Sequence, residues 1–79
     1  MTIIEILEDV RKIFIEVLDE EGLDIQMKTT ADDIDEWDSL NHIQLIVGIE
    51  RHFKIRFSSS EMQGYSNVGE MIEGIHEKL

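Results

Sequence analysis

The chain has no cysteine and no proline among its 79 residues, and only seven lysines and arginines against eighteen acids. Without cysteine there can be no disulfide, no thiolate metal site and no cysteine nucleophile. Without proline no helix is broken or kinked by a proline ring. A net charge of -11 argues against the clustered lysines and arginines that release counterions from nucleic acid, so that class of partner is not expected. No apolar run approaches the ~20 residues a bilayer span requires. Met1 leads into an acidic amphipathic stretch and not into a signal peptide. The expectation is a water-soluble, cytoplasmic, monomeric chain.

What is present fits one small domain over residues 1–79. The hydrophobic fraction of 42% is too high for a disordered chain. At this mass the folded surface should be roughly 4,900 Å², enough for one thin core and too little for a deep catalytic cleft. The charge is lopsided: residues 1–38 hold thirteen acids and three bases, residues 39–79 five and four.

Helical periodicity dominates and predicts an all-α fold of three long helices and one short one. The first helix should run from about Thr2 to Glu20, opened by the Thr2/Glu5 capping-box pattern. Leu7, Val10, Phe14, Val17 and Leu18 form its core stripe, flanked by Ile3, Ile6 and Ile13. Gly22 reads as its C-terminal cap. Residues 23–38 lose the helical period. Leu23, Ile25 and Met27 alternate there as in a half-buried extended segment, and Ile34 and Trp37 can pin this long loop to the core.

The second helix is expected from about Ser39 to Lys54. Leu45, Ile46, Ile49 and Phe53 fall on one arc of roughly 100°, wide enough to face a core. Leu40, Ile43 and Val47 fall on a second, displaced arc that one core face does not need. They could line a cavity or form an exposed contact patch. Gly48 in mid-helix suggests close approach of a neighbouring backbone. Ser58/Glu61 opens a short helix at about 59–64, and Asn67/Glu70 opens a last helix carrying Val68, Met71, Ile72, Ile75 and Leu79.

The segment Asp38-Ser39-Leu40 carries the chemistry. Unpaired N–H groups and the positive dipole end make a helix N-terminus favourable for a phosphate, so a phosphodiester on Ser39 would sit well there. The plainer alternative is that Asp38 or Ser39 only caps the helix.

The run Trp37-Asp38-Ser39-Leu40-Asn41-His42-Ile43-Gln44-Leu45 resembles the attachment site of acyl and peptidyl carrier proteins. The similarity continues through Glu50, Phe53, Ile55 and Val68. The resemblance implies that Ser39 receives 4'-phosphopantetheine from coenzyme A through a phosphopantetheinyl transferase. The thiol of that arm would carry an acyl group as a thioester, which fits a chain that has no thiol of its own. Asp38 would help position the transferase or its metal ion. Leu40, with Trp37, Asn41, Ile43 and Val47, would meet partner enzymes or the bound chain. Partners would be acyl-activating, acyltransferase or synthase enzymes. The second helix departs from the strongly acidic one typical of bulk fatty-acid carriers: it has Gln44, Arg51, His52 and Lys54, with Arg56 after it. That points to a specialised pathway. An aminoacyl (peptidyl) carrier and an unmodified acidic interaction module are the alternatives.

Other signals carry less. The acids Asp32, Asp33, Asp35, Glu36 and Asp38 lack the glycine and terminal glutamate of a calcium loop, so they read as a solvated loop. His42, His52 and His76 are not spaced as a metal pair, and no metal site is expected. Ser39, His42 and Asp38 invite a hydrolase reading, but Asp38 has no evident place behind the histidine, so no catalytic residue is expected. His42 reads as a surface residue bearing at most on partner choice.

Overall fold

The computed structural model describes residues 1–79 and is entirely helical. Helix α1 spans Ile3–Leu18, α2 Ser39–Phe53, α3 Ser59–Gly64 and α4 Val68–Lys78, with one 3₁₀ turn at Ala31–Asp33. No helix is long and apolar enough to cross a membrane. The exposed surface is 5121 Å², close to the roughly 4,900 Å² that its mass implies. One cluster of sixteen buried apolar side chains runs through the bundle. The main helix pairings are α1 with α2 and α1 with α4.

Local chemistry sets the helix starts. Thr2 and Ser58 each close a reciprocal capping box, with Glu5 and Glu61 respectively. Asn67 caps α4 by accepting from the Glu70 N–H, but the box does not close there. The Glu70 carboxylate accepts instead from the N–H of Ser66, one residue upstream. The α1 terminus differs from expectation. The left-handed cap is Asp19 at φ 55°, not Gly22, and its N–H donates to the Ile15 carbonyl. A short polar side chain tolerates this conformation, and the helix ends at once after its last core residue, Leu18.

The α1 stripe is also broader than expected. Ile6 and Ile13 are buried along with Val10, Phe14 and Leu18, whereas Leu7 and Val17 are only half-buried. Two neighbours, α2 and α4, cover α1 from two sides and so bury the flanking isoleucines. Gly48 does face a close approach, but by a side chain: a Cβ there would stand 3.1 Å from Cγ2 of Ile13. Leu79, expected in the α4 stripe, is exposed at the chain end past the last packed turn.

The long loop alternates as its sequence suggests, with Ile25 and Thr29 buried and Leu23 and Met27 half-buried, yet it pairs with no strand. Its backbone groups go to α4. The carbonyls of Met27 and Thr29 accept from the N–H groups of Gly69 and Val68 at 2.7 and 2.8 Å. They satisfy donors that every helix N-terminus leaves unpaired. Gly69 is required for this contact, since a Cβ there would lie 2.9 Å from the Met27 oxygen. Ile34, also buried, ties down the end of the loop that leads to α2.

Candidate functional site

The start of α2 separates capping from any other role of the serine. Asp38 is in extended conformation, and its Oδ1 accepts from the Asn41 N–H at 2.8 Å. The Asp38 carbonyl accepts from the His42 N–H. Asp38 is therefore the cap. Ser39 is the first helical residue, exposed, with its hydroxyl engaged in no hydrogen bond within the chain. The N–H groups of Ser39 and Leu40 also have no partner, as expected for a first turn.

The residues around Ser39 are held from the loop and from α3. Trp37 is half-buried, with its indole edge-on to Phe14 at 4.9 Å between ring centres. Its Nε1–H donates to Nδ1 of His42 at 3.0 Å, and Nε2 of His42 lies 2.8 Å from the Met62 carbonyl oxygen. Indole can only donate and a carbonyl can only accept, so the ring proton is on Nε2. Asn41 donates from Nδ2 to the Glu36 carbonyl at 2.7 Å. The loop end, the first turn of α2 and α3 are thus joined by three side chains.

This overturns the reading of His42 as a surface residue. It is half-buried and bridges two segments. Both ring nitrogens are committed, so it has no lone pair to serve Ser39 as a general base. Nothing in the local sequence signals this bridge, because Met62 lies twenty positions away.

Leu40, Ile43 and Val47 stand out on the solvent side of α2, with 66%, 52% and 40% of their surface exposed. Beside Ser39, a cleft of about 470 Å³ opens between the loop and α3, lined by Trp37, Asp38, His42, Met62 and Tyr65 among others. The larger hollow of about 670 Å³ lies beneath residues 20–34, is lined mainly by polar side chains and does not include Ser39. Tyr65 forms part of the wall of the serine-side cleft, and its ring meets Phe57 edge-on. Its hydroxyl is buried against Gly74 with no hydrogen-bond partner. That burial, with the carboxylates of Glu61 and Glu77, pushes the phenol above its ordinary range. Of the acids near the serine, Asp33 caps the 3₁₀ turn by accepting from Thr30, and Asp32, Asp35 and Glu36 are exposed.

The site fits a phosphate ester on Ser39. It has an unengaged hydroxyl, two unpaired N–H groups on the same helical turn and an open cleft alongside. The family described as the phosphopantetheine attachment site matches residues 8–75. Acyl carrier protein from Streptococcus pyogenes serotype M3 is 36% identical over 73 residues, covering 92% of this chain and 95% of the relative. That from Caulobacter vibrioides is 34% identical over 74 residues, covering 94% and 95%.

The chain belongs to the acyl carrier protein family.

The fold agrees. The solution structure of holo acyl carrier protein from Geobacter metallireducens superposes with a TM-score of 0.85 at 40% identity, over 91% of this chain and 83% of that one. The expected all-helical bundle is the one observed. As a member of this family the chain is a carrier and not an enzyme, and its cofactor is covalently attached 4'-phosphopantetheine. Its partners are a phosphopantetheinyl transferase and enzymes that handle acyl groups.

Proposed function

We propose that this acyl carrier protein bears the arm on Ser39 and shuttles acyl thioesters between the enzymes of a specialised biosynthetic or modification pathway. The observation that supports Ser39 most directly is the division of labour at the helix start: Asp38 caps, and the serine hydroxyl is left exposed at the rim of a cleft. In the loading step Oγ of Ser39 bonds to the phosphorus bearing the pantetheine unit of coenzyme A. The pyrophosphate bond breaks, adenosine 3',5'-bisphosphate leaves and the transferase takes the serine proton. The N–H groups of Ser39 and Leu40, which have no partner within the chain, would donate to the phosphodiester oxygens. When attached, the arm supplies the thiol on which an acyl group rides. Tethering presents that group at high effective concentration to each enzyme in turn.

The neighbouring residues take distinct roles. The carboxylate oxygen of Asp38 not used in capping faces the transferase or its metal ion. Leu40, Ile43 and Val47 form the apolar contact for partners or the bound chain. Trp37 and Asn41 hold the loop against α2 so that Ser39 is presented in one geometry. The mixed charge of α2 supports a specialised pathway over bulk fatty-acid synthesis. We place the carrier in the cytoplasm as a monomer, one domain over residues 1–79.

Intact mass after incubation with coenzyme A, magnesium and a permissive transferase tests the assignment. The native chain should gain one phosphopantetheinyl group and Ser39→Ala none, with unchanged helical circular dichroism. No gain on the native chain, while a control carrier is modified, would move the assignment to an unmodified interaction module. Slow turnover by fatty-acid synthase enzymes would support specialisation, and efficient turnover would remove it.

A further inference from the structure

The solvent face of α2 does not end with its apolar residues. At 100° per residue Leu40, Ile43, Val47 and Arg51 share one arc of roughly 80°, and Lys54 follows as the left-handed cap at the end of the helix. Arg51 and Lys54 are exposed, as is Arg56 just beyond the helix. These cations are three of the seven lysines and arginines in a chain of net charge -11, and none forms an ion pair. The acids nearest in sequence or across the helix pair are used elsewhere. Asp9 meets His52 at 3.0 Å, and the Glu50 carboxylate accepts from the Phe57 N–H at 2.8 Å. At the Ser39 end, the loop that leads into the helix carries the exposed acids Asp35, Glu36 and Asp38. The helix face therefore runs from apolar near the serine to basic at its far end, with acids in the loop that precedes it.

We infer that this face docks a partner protein whose surface is the mirror of that order: an apolar recess flanked on the far side by carboxylates. Along the helix axis Arg51 lies about 18 Å from Ser39, and Lys54 about 22 Å. The partner's Asp or Glu cluster should then stand roughly that far from the entrance of its own active site, where the serine-bound arm enters. Opposed charge at the two ends permits one docking direction, and the reversed one sets like charges together. The apolar middle supplies contact area, while the ends select among partners. This inference rests on the carrier reading above, because it takes the partner to be an enzyme acting on the group carried at Ser39.

The test compares the native chain with a variant carrying Arg51→Glu, Lys54→Glu and Arg56→Glu, and with a second carrying Gln at all three positions. All are first loaded with phosphopantetheine and checked by intact mass and circular dichroism. Failure of the native chain to load would defeat the carrier reading; successful loading leaves the docking question separately open to measurement. The loaded chains are then offered to two acyltransferases, one with Asp and Glu around its active-site entrance and one with Lys and Arg. The native chain should favour the acidic-rimmed enzyme. The Glu variant should reverse that preference by at least about tenfold in kcat/KM, the Gln variant should fall between, and the differences should shrink with added salt. An unchanged ranking in all three chains would overturn the proposal. So would binding of the native chain to phosphatidylglycerol vesicles that the Glu variant loses, since the cations would then belong to a lipid surface.

Discussion

The two faces of α2 are built from the same kinds of side chain and meet opposite fates. Leu45, Ile46, Ile49 and Phe53 are buried against α1 and the rest of the core, whereas Leu40, Ile43 and Val47 on the same fifteen residues face water. Roughly 25 cal/mol per Å² of apolar surface removed from water stabilises the first group, and the second contributes little of this to the fold. Stability of the fold therefore does not account for an apolar stripe kept exposed beside Ser39. The helix supports the core with one side and leaves the other apolar and exposed.

Substitutions of like chemistry on the two faces give the largest contrast. Ile49→Ala opens a cavity in the core and should destabilise by about 2–5 kcal/mol. Ile43→Ala, on the exposed face, should stay within about 0.5 kcal/mol. Urea unfolding of both variants measures this; similar losses would erase the distinction between the faces. In acyl transfer the order should invert, with the stable Ile43 variant being the poorer substrate for partners.

The next contrast concerns how the serine-side loop is joined to the core. Gly69→Ala would push a methyl group into the Met27 carbonyl and separate α4 from the loop. A loss of about 1–3 kcal/mol is expected despite the better helix propensity of alanine, because backbone atoms must move. Thermal unfolding checks it.

Asp38 can be divided in the same spirit. Asp38→Ala should cost about 1 kcal/mol through loss of the cap, whereas Asp38→Asn, which can still cap, should keep stability. If the charge also serves the transferase, both variants should load more slowly. A normal loading rate for the Asn variant would confine Asp38 to capping.

The smallest effect lies at α3. The Glu61 carboxyl is held below its ordinary range, first by Lys78 and then by the Ser58 N–H. A depressed folded value means that its contribution is present above the ordinary carboxylate range and is lost as pH falls through the folded value. NMR titration of the Ser58 and Glu61 amides should show the start of α3 loosening on acidification, and Glu61→Gln should abolish that dependence.

Much of the molecule was legible in the sequence because its causes are local. The Thr2/Glu5 and Ser58/Glu61 boxes join residues three apart, and each places a helix start within a residue. The two arcs of α2 follow from 100° per residue alone, and the structure buries the wider one. Asp38-Ser39-Leu40 marked the candidate site, though not which of its first two residues was the cap.

Contacts between distant segments were decided only by the tertiary structure. Ile6 and Ile13 are buried because α1 has neighbours on two sides, which a one-helix projection does not contain. The α4 N–H groups find Met27 and Thr29 about forty residues upstream, at carbonyls that carry no side-chain signature. His42 becomes a bridge only when folding brings Trp37 and Met62 to its two nitrogens. The sequence by itself determined where helices begin and which faces are apolar, because hydrogen bonds and periodicity over three or four residues suffice for that. The tertiary structure decided which groups meet across the bundle, because those partners are set by packing and not by spacing along the chain.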